Sequence, residues 1–185
     1  MKSAVIFGAR QRMGFELCSR LLDNGYKVYG IDHRLWITEE QEDHWLMIAR
    51  NANLGYFELT GVEDIDHCLP ENEECLYILP AVDYYEGQNE GVQNQFILSL
   101  ERMRNLNIRS PFFLVIQPPA THRNHAPFSL SLKKWADSMD KLEEYYLSPS
   151  VYRDEEQDFL RVADVGKAAE KVVEFIQNKN LMEIK

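Results

Sequence analysis

The strongest constraint on the fold lies at the start of the chain. A short apolar run, Ala4-Val5-Ile6-Phe7, stops at Gly8, and from Gly14 onward Phe15, Leu17, Cys18, Leu21 and Leu22 recur at helical spacing. A continuously apolar run of that length suits a parallel strand buried on both faces. Asn24-Gly25 supplies a left-handed stop for the helix, and Lys27 to Ile31 reads as a second strand delivering Asp32 at its end. Strand, glycine turn, helix, strand and carboxylate in that order define a βαβ unit.

The same alternation continues downstream. Trp36 to Ala52 reads as helical, and Gly55 to Leu59 as a third strand. Cys75 to Leu79 is a fourth strand broken by Pro80, and Asn89 to Leu106 a helix carrying Val92, Phe96, Ile97, Leu100 and Met103. After Pro111, Phe112 to Ile116 gives a fifth strand. A Pro-marked loop follows, then helices over Leu132 to Leu147 and Asp164 to Asn178, separated by an acidic stretch from Asp154 to Asp158. The expected class is α/β: one domain over residues 1–185, with a Rossmann-like, doubly wound parallel sheet in a three-layer α/β/α arrangement.

Charge and cysteine content narrow the partners. With 20 Lys+Arg against 30 Asp+Glu the net charge is −10, and the longest basic run is Lys133-Lys134, which argues against nucleic acid and anionic membranes. Cys18, Cys68 and Cys75 lack metal-ligand spacing and leave an odd thiol if two pair, so a reducing, cytoplasmic location is expected and a metal is not. No apolar run approaches the roughly 20 residues of a membrane span.

The turn Gly8-Ala9-Arg10-Gln11-Arg12-Met13-Gly14 has the context of a dinucleotide site. Gly8 would make the tight turn, Gly14 would let strand and helix approach, and the helix amides would face a pyrophosphate. Gln11 stands where a glycine usually admits the phosphate to the backbone. Arg10 and Arg12 could offset this with charged hydrogen bonds, and Met13 lies between them and Gly14. Asp32 would hold the adenosine ribose. It would repel a 2′-phosphate and so favour NAD over NADP, whereas Arg34 pulls toward NADP. Any strand-to-helix turn can use a glycine, so the order of the features carries this reading, not the glycines alone.

Several segments together resemble the short-chain dehydrogenase/reductase superfamily, in its extended, epimerase/dehydratase-like branch. Gly8 to Arg34 resembles the opening unit of that branch, and Tyr56-Phe57-Glu58-Leu59 its third strand with an acidic residue. Leu79-Pro80-Ala81 resembles the small-residue turn after strand four. Asn89-Glu90-Gly91-Val92-Gln93-Asn94 resembles its Asn-Val-x-Gly-Thr-x-Asn helix start. Asp158-Phe159-Leu160-Arg161-Val162-Ala163-Asp164-Val165-Gly166-Lys167-Ala168 resembles its late Asp-Phe-x-x-Val-x-Asp-Val-x-x-Ala signature, the most specific match. The resemblance implies that Glu58, Pro80 and Ala81 join Gly8 to Gly14, Asp32 and Arg34 around NAD or NADP. A homodimer through the helices near 91–106 and 132–147 is expected because their apolar positions, Phe96, Leu100, Trp135, Met139 and Leu142 among them, are too numerous for one buried stripe, and both helices occupy the places that form an interface in the resembling family.

The family's chemistry uses a Tyr, a Lys four residues later and a Ser or Thr after strand five. Here the matching segment, Pro127-Phe128-Ser129-Leu130-Ser131-Leu132-Lys133, puts Phe128 and Leu132 at the first two positions. Phe has no proton to exchange. A one-residue shift to Lys133 turns a helical side chain by roughly 100°. Thr121 is the only hydroxyl near the end of strand five, and it comes late. Asp83, Tyr84 and Tyr85 after strand four, with His122 and His125 after strand five, belong to the same expected sheet edge. Tyr84, Tyr85, His122 or His125 could substitute as an acid, although polar loops carry such residues for solubility as well.

Only Ser148 to Gln157 separates the helix expected at 132–147 from the late signature that begins at Asp158, so no separate substrate lobe is expected. The expected function is NAD(P) binding in a regulatory or interaction role without the standard catalytic pair. The alternatives are an atypical oxidoreductase or epimerase acting on a small carbonyl or sugar-nucleotide substrate, and a ligand-free structural module.

Overall fold

In the computed structural model, residues 2–70, 73–87, 89–106, 108, 111–119, 127–155, 159–162 and 164–181 are described. Six parallel strands form one sheet: β1 (Ser3–Phe7), β2 (Lys27–His33), β3 (Leu54–Leu59), β4 (Cys75–Leu79), β5 (Phe112–Gln117) and β6 (Leu142–Tyr146). Their spatial order is β3-β2-β1-β4-β5-β6, so the chain reverses its direction of travel between β1 and β4. That reversal opens a crevice beyond the carboxyl ends of those two strands, where sheets of this topology bind ligands.

Side chains of β1 alternate between two apolar layers. Ala4 and Ile6 pack with Leu17, Leu21, Val172 and Ile176 of helices α1 (Arg12–Asp23) and α7 (Val165–Asn178). Val5 and Phe7 face the opposite layer, with Phe96 and Leu100 of α5 (Glu90–Arg104) and Leu132 and Trp135 of α6 (Pro127–Ala136). Each fully buried leucine contributes roughly 1.5–3 kcal/mol. Helices thus cover both faces, as the three-layer expectation requires, and the strands expected at 3–7, 27–31, 55–59, 75–79 and 112–116 all form.

Three local expectations need correction. Residues 132–147 do not make one helix: α6 ends at Ala136, and Leu142 to Tyr146 pair in parallel with Phe113 to Gln117 as an edge strand. Leu-Glu-Glu-Tyr-Tyr has no propensity that separates the two states, and the exposed backbone groups of β5 decide it. Of residues 36–52, only α2 (Glu39–Trp45) is α-helical, started by a Thr38–Gln41 capping box and preceded by a single 3₁₀ turn at Arg34–Trp36. The acidic stretch begins inside a hairpin, β7 (Tyr152–Glu155) paired antiparallel with β8 (Phe159–Val162).

The proposed dimer contacts are also used within the chain. Phe96, Leu100 and Trp135 are fully buried, and the Trp135 indole donates to the Leu100 carbonyl at 2.9 Å. Met139 and Leu142 pack against the same layer. The exposed apolar positions of α5 and α6 are instead Leu98 and Leu130, at 55% and 59% exposure. Among the described residues no helix is long and apolar enough to cross a membrane.

Candidate functional site

The turn after β1 is built by two glycines for different reasons. Gly8 has φ +76°, a left-handed conformation that side chains disfavour. Gly14 lies against the Gly8 carbonyl, and a β-carbon there would stand 1.8 Å from that oxygen. The Gln11 amide donates back to the Gly8 carbonyl at 3.0 Å, closing the turn and aiming the first amides of α1 at the crevice.

Those amides are not served by the helix's own start. Gln11 is the N-cap residue but makes no side-chain cap, and the first turn of α1 holds no acidic residue. Asp83 does the capping from across the crevice. Its carboxylate accepts from the Met13 N–H at 3.0 and 3.1 Å and from the Gly14 N–H at 3.2 Å. A carboxylate at this point meets both unsatisfied amides and the positive end of the helix dipole. Asp83 belongs to α4 (Val82–Gly87), directly after Pro80 and Ala81, both buried, so the β1 and β4 sides of the crevice are tied by one side chain.

Tyr84, next in the chain, does not face the solvent side of this edge. It is buried in an aromatic cluster, stacked on Phe96 with ring centroids 4.1 Å apart and edge-on to Trp36 at 5.4 Å. Burial, with the nearby Asp32 and Asp83 carboxylates, pushes its hydroxyl pKa well above the ordinary range. Gln11 lies over the turn: its amide donates to the Trp36 carbonyl at 2.9 Å and its oxygen accepts from Gln41 at 3.2 Å.

Asp32 stands at the carboxyl end of β2 as expected, but it is fully buried. Its carboxylate accepts the Arg10 backbone N–H at 3.1 and 3.4 Å. Burial pushes its pKa up to about 7, against the stabilising Arg10 N–H and guanidinium. The Arg10 guanidinium lies over the Tyr56 ring, 4.2 Å from its centroid, and covers this corner. Arg12 is exposed, and Arg34 is exposed with its guanidinium 3.8 Å from Glu58 at the end of β3.

A second polar group lies at the ends of β4, β5 and β6. The Tyr85 hydroxyl is 3.2 Å from the Ser129 hydroxyl and 3.4 Å from the Gln117 side-chain oxygen. Gln117 donates to Glu144 at 2.8 Å, and the Tyr146 hydroxyl donates to the other Glu144 oxygen at 2.8 Å. No local pattern in the sequence marks Ser129 or Glu144, and the position of Gln117 at the end of β5 is the one signal for this group. Phe128 and Leu132, expected from the resemblance to match a Tyr and a Lys, are 4% and 0% exposed and belong to the apolar layer behind this group. His122, His125 and Thr121 lie outside the described residues. Asn89 and Asp164, from the two helix-start motifs, cap α5 and α7 through the Val92 and Lys167 amides.

No protein-family model matches the chain, and no curated protein is similar to it in sequence. Solved structures are similar in fold. A short-chain dehydrogenase/reductase from Vibrio parahaemolyticus superposes with a TM-score of 0.59 at 12% identity, over 92% of this chain and 91% of that one. The chain shares its Rossmann-like α/β fold with these short-chain dehydrogenase/reductase structures. The Bordetella bronchiseptica enzyme WbmH, in complex with NAD+, is similar over 80% of this chain at 18% identity and a TM-score of 0.53, and this chain spans 56% of its length. NmrA, a negative transcriptional regulator in complex with NADP, is similar over 94% of this chain and 62% of its own, at 13% identity and a TM-score of 0.53.

Proposed function

We propose that this short-chain dehydrogenase-like protein is a dinucleotide-responsive binding protein, regulatory in role, that does not run the family's Tyr-Lys chemistry. The observation that carries this reading is the burial of Phe128 and Leu132 in the core. Neither position offers a proton or a charge to a bound carbonyl, and general acid catalysis is worth typically ~10²–10⁴-fold.

The turn fits a dinucleotide in its frame. The left-handed Gly8, the close packing of Gly14 and the α1 amides form the usual phosphate seat, and the Asp83 carboxylate on those amides is itself an anion standing where a phosphate would bind. The NAD+ and NADP complexes of WbmH and NmrA support the same partner, and the regulatory role of NmrA supports this use of the fold. NAD is favoured over NADP on the reading that Arg10 withdraws from the buried Asp32 when the ribose binds and exposes the carboxylate at the end of β2; Arg34, beside Glu58, pulls the other way. A cytoplasmic homodimer belongs to the same reading, with Leu98 and Leu130 as its available apolar contacts.

The test is a fluorescence titration of NADH and NADPH into the purified protein, followed by a turnover screen over carbonyl and sugar-nucleotide substrates. Saturable binding without turnover is the expected result. Robust turnover would favour the second reading, an atypical oxidoreductase or epimerase, for which the Tyr85–Ser129–Gln117 group is the supporting observation. In that case Tyr85→Phe should abolish it. Absence of binding would leave a ligand-free interaction module.

A further inference from the structure

We infer that Asp83 is an internal competitor for the diphosphate seat, so that a dinucleotide enters the crevice only by displacing this carboxylate from α1. The inference rests on the dinucleotide-binding reading above. The Met13 and Gly14 amides that a bound diphosphate needs are already engaged by Asp83, at 3.0–3.2 Å. Two anions cannot share them without strong repulsion.

An independent observation points to a ligand at the same place. The Tyr84 hydroxyl is buried, has no hydrogen-bond partner among the described residues, and lies 2.5 Å from the position a Gly8 β-carbon would take. A buried hydroxyl without a partner is costly, and a phosphate oxygen arriving at the turn would supply its acceptor. Asp83 and Tyr84 are adjacent on α4, a helix of six residues that starts directly after the β4 turn. Rotation of the Asp83 side chain away from α1 leaves the Tyr84 hydroxyl at the turn, where it meets the incoming phosphate oxygen. The Gln11 bridge to Trp36 and Gln41 lies over the same turn and would have to open too.

The experiment measures NADH, NADPH and inorganic pyrophosphate binding by calorimetry to the wild type, Asp83→Ala and Asp83→Asn, with circular dichroism to establish folding. Asp83→Ala should bind NADH at least tenfold more tightly than the wild type, with Asp83→Asn in between, because a neutral amide oxygen can still accept one N–H but does not repel phosphate. If Asp83→Ala fails to fold, the isosteric Asp83→Asn carries the comparison. Equal, measurable affinity in all three proteins would overturn the competitor role and leave the dinucleotide reading standing. No binding by any of them would overturn both.

Discussion

The Arg10 backbone N–H donates to the Asp32 carboxylate at 3.1 Å in a site closed to water, and burial holds that carboxyl near pH 7. In the unfolded chain an Asp titrates near ~3.9. The folded protein therefore binds this proton more tightly, and the stability it contributes at low pH is lost as pH rises from about 4 through 7. Asp32→Asn keeps an oxygen acceptor for Arg10 and removes the buried charge. The variant should gain on the wild type by on the order of a few kcal/mol between pH 5 and pH 8, read from urea melts at both values. His33, whose pKa burial lowers, titrates in both proteins and cancels in the difference.

Gly14 and Gly25 should respond differently to alanine. At Gly14 the added carbon would collide with the Gly8 backbone at 1.8 Å, so strand and helix must separate. A loss of roughly 3 kcal/mol or more is expected from overpacking that cannot relax. At Gly25 the φ is +76° but nothing lies within 4 Å, leaving only the conformational cost of about 1–2 kcal/mol. Thermal or denaturant unfolding of the two variants separates the causes.

Restoring the family's pair by Phe128→Tyr with Leu132→Lys should not restore activity. Leu132 is fully enclosed, so Leu132→Lys would place an ammonium in the apolar layer of Trp135 and Phe96. A destabilisation of several kcal/mol is expected, together with no turnover above the wild type in a carbonyl screen. Turnover in the double variant would mean that the Leu132→Lys side chain reaches the crevice and that two side chains suffice to confer activity.

Trp135 and Leu98 distinguish core from interface. Trp135→Ala should cost roughly 3–5 kcal/mol through the cavity and the lost bond to Leu100. The double change Leu98→Arg, Leu130→Arg should leave the unfolding free energy within about 0.5 kcal/mol. Sedimentation velocity then reads the dimer directly: a wild-type dimer that becomes monomeric in the double variant supports the α5–α6 interface, and a monomeric wild type ends it.

The sequence by itself determined the first βαβ unit, the first five strands of the sheet and the glycine turn, because these depend on short-range patterns. An apolar run buried on both faces, a helical stripe through Leu17, Leu21 and Leu22, and a glycine required by φ are all legible locally. It also determined that positions 128 and 132, which the resemblance compares with a Tyr and a Lys, carry no ionisable side chain. The tertiary structure decided whatever depends on partners distant along the chain. Residues 142–146 became a strand because β5 presented an unpaired edge to them. Asp83 became the cap of α1 because the order β3-β2-β1-β4 brings the β4 turn against the start of a helix 70 residues earlier. The burial of Asp32 has the same kind of cause: Arg10, whose N–H it accepts, lies over the rings of Trp45 and Tyr56 from two other segments. No local pattern encodes such contacts, because the free energy of a cap or a buried carboxylate is set by what the fold places opposite it.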